Sequence, residues 1–207
     1  LDTMKLLRVA ALSLCATSPL WAQDGALEPK EWTVPWEDTR PRDPIMDQSG
    51  KVWFVGQRGN YIAYLEPKSG EFKRYQIADG THPHNIVTDP SGGVWFTGNR
   101  NGRLVKLDPA TGELKNYMMP DSTVRDPHTL LFGPDGIGWF SAQQSQRIGR
   151  IDPKTGEIKL WRPPGEGRSN PYGVIIDRDG IIRAERIGYS TANDARNRAV
   201  LSGILPP

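Results

Sequence analysis

This 207-residue chain has few of the features that mark helical, disulfide-bonded or nucleic-acid-binding proteins. It holds one cysteine, Cys15, and a disulfide framework needs an even set, so none is expected. Its 26 Lys and Arg nearly balance its 24 Asp and Glu, for a net charge of +2. That gives no electrostatic case for a nucleic-acid or membrane-surface partner. No stretch sustains the 3.6-residue apolar period of an amphipathic helix. There is no phosphate loop, no Cys–His zinc set, no Gly-x-Ser-x-Gly and no basic aromatic stripe. Against these absences stand 22 Gly, 18 Pro and 7 Trp, with only 37% hydrophobic residues. Such a composition favours an all-β protein with frequent tight turns.

The N-terminal segment calls for separate treatment. From Met4 it reads MKLLRVAALSLCATSPLWAQ. Lys5 and Arg8 form a charged start, Val9 to Cys15 an apolar stretch, and Leu20-Trp21-Ala22 a cleavage site. The apolar stretch is too short to span a bilayer. The pattern predicts a leader over residues 1–22 and a secreted or periplasmic protein without cysteine; a buried N-terminal helix is the alternative.

The rest of the chain repeats. Trp53, Trp95 and Trp139 each precede Phe, at spacings of 42 and 44. The turn Glu66-Pro67-Lys68-Ser69-Gly70-Glu71 returns as Asp108-Pro109-Ala110-Thr111-Gly112-Glu113 and as Asp152-Pro153-Lys154-Thr155-Gly156-Glu157. In the unit opening THPHNIVTD, four runs of β-formers are separated by Gly, Asn, Asp and Pro turns. Four-stranded units repeating at about 43 residues predict a β-propeller. Its blades would cover about 41–80, 81–124 and 125–168, with a further blade starting at 169–182, inside an incomplete propeller over 23–182. The Trp-Phe pairs should pack between blades. Glu31 to Pro35 resembles the end of a fourth strand and predicts a closing strand. Where the next Trp-Phe is due the chain reads Arg183-Ala184, so 183–207 is a divergent tail. A terminal helix and a shifted reading frame near residue 180 both remain open for it.

Repeats of the form P-H-x-I…G-x-W-F-T…D-P…T-G-E…Y, over about residues 29–182, resemble the streptogramin B lyase (virginiamycin B lyase) family. The resemblance implies a seven-bladed propeller, which needs about 300 residues, so about three and a half blades are present here. It also implies Mg²⁺-dependent elimination at the ester of cyclic depsipeptide antibiotics, with a histidine as general acid or base and glutamates on the metal.

The family's Pro-His slot holds Arg42, His84, His128 and Tyr172 here. His84 and His128 are therefore the candidate catalytic residues, facing one funnel; hydrogen bonding around a wet axis is the plainer role. His82, Arg58, Arg100 and Tyr172 are candidate substrate contacts, with turn or solvated-surface roles as the alternatives. Where the family places a metal-binding Glu this chain has Gln57, Asn99 and Gln143, poorer Mg²⁺ ligands than carboxylates. Asp126, Gln143 and Asn99 are the candidate metal set. The expected ligand is a small cyclic peptide or ester. A non-catalytic propeller binding a ligand or protein at the funnel is the second reading. A sugar-lactone hydrolase is the third, and it would need a carboxylate-rich Ca²⁺ site absent from these slots.

Overall fold

The computed structural model describes residues 29–163, 169–176 and 182–185. The leader and most of the divergent tail lie outside the described residues. The chain divides into two units, Leu1–Trp32 and Thr33–Pro207. Of the first, residues 29–32 are described; they form no strand, and Lys30 Nζ sits 4.7 Å from the centre of the Trp32 ring.

The second unit is all β. Every element among the described residues is a strand, and the turns alternate with them as the repeat requires. Strands β1 (Pro41–Met46), β2 (Val52–Gly56), β3 (Tyr61–Glu66) and β4 (Glu71–Gln76) form the first antiparallel sheet in that order. β5 (Pro83–Thr88), β6 (Val94–Gly98), β7 (Arg103–Leu107) and β8 (Leu114–Met118) form the second. β9 (Pro127–Phe132), β10 (Gly138–Ala142), β11 (Arg147–Ile151) and β12 (Ile158–Trp161) form the third. A two-stranded sheet follows, β13 (Gly173–Ile176) with β14 (Ile182–Glu185). Its pairing continues past residue 182, where the sequence pattern breaks.

The repeat is written into the backbone. Gly70, Gly112 and Gly156 close the β3–β4, β7–β8 and β11–β12 turns at φ of 80°, 80° and 79°. That left-handed conformation costs glycine nothing. In the second and third turns Asp108 and Asp152 accept N–H groups two residues on, from Ala110 and Lys154, at 2.8 and 2.9 Å. These acidic turns hold themselves together by ordinary Asx bonding.

The core lies between sheets. Trp53, Val55 and Ile62 of the first sheet pack with Ile86, Val94, Phe96, Val105 and Leu107 of the second. Trp95, Leu104 and Tyr117 of the second pack with Leu130, Phe140, Ala142 and Ile151 of the third. Trp53 and Trp95 are fully buried, a contribution of about 2–3 kcal/mol each. Trp139 departs from the expected pattern. It is only half-buried and stacks on Trp161 of its own sheet at 5.8 Å.

The closing strand expected over 31–35 does not form: residues 29–34 carry no regular structure and 35–38 bend. A strand needs a partner edge, and no described strand pairs with this segment. Val34 and Trp36 instead pack against Phe54, Tyr61 and Ala63.

Candidate functional site at the first strands

The first strands of successive sheets lie side by side, β1 against β5, β5 against β9 and β9 against β13. Each of β1, β5 and β9 breaks register at the same place. The breaks fall between Arg42 and Ile45, between Pro83 and Ile86, and between Pro127 and Leu130. A bulge re-aims side chains and frees backbone groups from the ladder. Here it frees the residues at and beside the Pro-His slot.

Two hydroxyls take over the freed groups. Thr97 Oγ1 accepts the Asn85 N–H at 3.1 Å and donates to the His128 carbonyl at 3.0 Å. Ser141 Oγ accepts the Thr129 N–H at 3.3 Å and donates to the Tyr172 carbonyl at 2.8 Å. Asn85 Oδ1 accepts the Leu130 N–H at 2.9 Å. The second and third sheets thus each position the slot residue of the next. Thr97 and Ser141 were not among the expected site residues. Their signal was a hydroxyl directly after both Trp-Phe pairs, where the first blade has Val55.

The histidines meet. The His84 and His128 ring centres are 3.7 Å apart at an interplanar angle of 40°, and Tyr172 lies 4.5 Å beyond His128. His84 is 7% exposed and His128 6%. His84 Nδ1 is buried without a hydrogen-bond partner, whereas His128 Nδ1 meets Thr129 Oγ1 at 3.0 Å. Burial, then His128, Arg42, Arg40 and His82, push His84 down to about 3. Burial and Arg42 also depress His128, against the opposing pull of Asp43 and Asp126. Both rings are therefore neutral at physiological pH, and His84 is a weak base there. Arg42, which fills the same slot on β1 and was not among the candidate site residues, completes the cluster. Its Nε donates to Asp43 at 3.1 Å and its NH1 to Gln57 Oε1 at 3.4 Å.

The other expected contacts are dispersed. His82 takes a left-handed backbone at φ 51°, and its N–H donates to Asn60 Oδ1 at 2.8 Å. Burial, then Arg100 and Arg40, lower its pKa. Arg58 forms an exposed pair with Asp38 at 2.8 Å. Arg100 lines an open cleft of about 420 Å³ with Asn99, Thr123, Arg125, Asp126, Gln144 and Ser145.

A model of the virginiamycin B lyase family matches residues 22–194, more than half of the chain. The chain belongs to the virginiamycin B lyase family. Virginiamycin B lyase from Staphylococcus aureus is 23% identical, with a TM-score of 0.66 over 79% of this chain and 61% of that one. A streptogramin B lyase is 24% identical, with a TM-score of 0.67 over 79% and 60%. A catalytically inactive histidine-to-alanine variant of the Staphylococcus aureus enzyme, solved with quinupristin, is 23% identical, with a TM-score of 0.67 over 79% and 61%. These likenesses establish the propeller fold. The chain spans 60–61% of the length of these lyase structures. A comparison with curated proteins finds no match.

Membership of the virginiamycin B lyase family raises the matter of Mg²⁺, which favours several oxygen ligands with carboxylates among them. The described residues do not fit it. Both Asp126 oxygens are occupied: they accept the Gln144 N–H at 2.5 Å, the Ser145 N–H at 3.1 Å and the Ser145 hydroxyl. Asn99 Nδ2 donates to the Pro127 carbonyl at 3.2 Å. Asn99 and Asp126 share the cleft, but Gln143 is not in its lining. Among the described residues no group of three or more His, Cys, Asp or Glu could hold a metal.

Proposed function

We propose that the protein belongs to the ester-opening lyases of its family, acting on a cyclic depsipeptide of the streptogramin B type, and that the described blades form the ligand-facing wall of its funnel. In such an elimination a base removes a proton from the carbon next to a carbonyl. The C–O bond one carbon further breaks, a double bond forms, and the carboxylate leaves with the electron pair. No water is consumed. The reading rests on the family match over residues 22–194 of a propeller whose first strands converge on His84 and His128.

Neutral, buried imidazoles suit hydrogen bonding to a ligand better than proton abstraction. The second reading is a propeller that binds the ligand without turning it over. It is favoured by Asp126, the one acid in the expected metal set, whose oxygens already hold the 143–146 turn. The leader pattern supports an exported protein in either case.

The test is incubation with a streptogramin B, with and without Mg²⁺, followed by mass spectrometry and chromatography. Elimination gives a product of unchanged mass and altered retention. Hydrolysis adds one water and would refute the lyase reading. Saturable binding without conversion would establish the second reading.

A further inference from the structure

We propose that the cluster of Arg42, His84 and His128 is a binding site for a carboxylate group. The inference rests on the reading of the funnel as the ligand face, and it names the chemistry that face grips.

Three observations carry it. First, two imidazoles with ring centres 3.7 Å apart, each more than nine-tenths buried, leave no room for two charges. They present neutral N–H donors beside a permanent cation. Second, His84 Nδ1 is buried with no partner. A ligand atom that meets this nitrogen relieves a desolvation cost already present in the folded protein. Third, Arg42 is only partly engaged. Two of the guanidinium's five N–H donors are used, one of them at a long 3.4 Å, so an edge remains for a planar acceptor.

The neighbours select the ligand. Arg40 and His82 act on His84 from just before β1 and β5, and Asp43 and Asp126 act on His128. Tyr172 covers the far side of His128. Arg42 fills the equivalent slot on the first strand beside that of His84, and its charge acts on both rings, which disfavours a metal cation. The two acids repel a dianion such as phosphate, which leaves a monoanionic, two-oxygen group. Opening a lactone by elimination releases such a group, and a ligand with its own free carboxylate would use the same contacts.

Acetate is the probe. Titrated near neutral pH at constant ionic strength, it should shift the ring resonances of His84 and His128 saturably, with chloride a poor substitute. It should also raise their proton affinity by about tenfold. Arg42→Gln should weaken acetate binding by about tenfold or more, with Arg42→Lys between the two. The Trp95 indole N–H resonance reports whether each variant keeps its fold. Histidine resonances that ignore acetate in the wild-type protein overturn the proposal, even if the variants fail to fold. So does an equal response in folded Arg42→Gln. Acetate binding without opening of a streptogramin B keeps this site and removes the lyase reading; opening without an acetate response does the reverse.

Discussion

Asp89 offers the sharpest energetic test of the blade design. Its side chain is 5% exposed and holds five groups at once. Oδ1 accepts the Ser91 N–H at 2.9 Å, the Ser91 hydroxyl at 2.6 Å and the Gly93 N–H at 2.9 Å. Oδ2 accepts the Trp95 indole N–H and the Lys106 ammonium, both at 2.7 Å. Burial opposes its ionisation. Lys106, Ser91, Trp95 and the Gly93 N–H outweigh it and hold the carboxyl down to about 2, from an ordinary 3.8. Each pKa unit is worth about 1.4 kcal/mol, so the ionised clamp contributes about 2 kcal/mol at neutral pH. That contribution is fully present above pH 3.8 and is lost as the pH falls toward 2. Asp89→Asn keeps the shape and removes the charge. Urea unfolding followed by tryptophan fluorescence should show a loss of about 2 kcal/mol near pH 7 that shrinks toward zero near pH 2. Acidification also charges the unfolded chain's histidines before the buried His84 ring, but that penalty is common to both proteins and cancels. Asp47 makes the same indole bond to Trp53 at 2.7 Å and accepts the Lys51 backbone N–H at 3.1 Å in place of a lysine ammonium, so Asp47→Asn should cost less. A pH-independent loss at Asp89, or an equal loss at Asp47, would refute the account.

Thr97→Val preserves shape but leaves the Asn85 N–H and the His128 carbonyl without their hydroxyl. It should cost about 1–3 kcal/mol in unfolding free energy and disturb the His128 ring resonances, whereas Thr97→Ser should restore both. Gly149→Ala places a methyl against the Phe140 ring; an overpacking cost of about 1–3 kcal/mol should appear as a lower melting temperature. Asp126→Asn should lose about 1–3 kcal/mol, through the Gln144 and Ser145 N–H groups it leaves poorly paired. Mg²⁺ binding measured by calorimetry should not change in that variant; a loss of Mg²⁺ affinity would return Asp126 to the metal set.

The fold class was legible because its signals are local and repeated. A Trp-Phe pair, an Asx turn and a glycine at positive φ each act within a few residues. At spacings of 42 and 44 they reinforce one another. The closing strand was not legible in the same way. Glu31 to Pro35 has a strand-like composition, but a strand depends on a partner edge, and that is a property of the assembled sheets. The half-burial of Trp139 was not legible either, because its Trp-Phe context repeats that of the buried Trp53 and Trp95.

The site was legible only as far as the period carries. Equal slots in successive blades bring His84 beside His128, and the period alone leads to that juxtaposition. Their chemistry comes from elsewhere in the sequence. The register breaks in β5 and β9 free the backbone there, and Thr97 and Ser141 turn the freed groups into ties that fix the next blade's slot residue. The first blade has Val55 where the others have a hydroxyl, and it places Asp43 at φ 51° beside Arg42. Its bulge is therefore held by different means, and a charged residue fills the slot. Slot residues differ from repeat to repeat, while the packing between sheets is carried by Trp53, Trp95 and their partners on the second and third strands. The axial slot is thus free to vary, and it is where one repeat can carry a cation and the next two a pair of neutral imidazoles on the same framework.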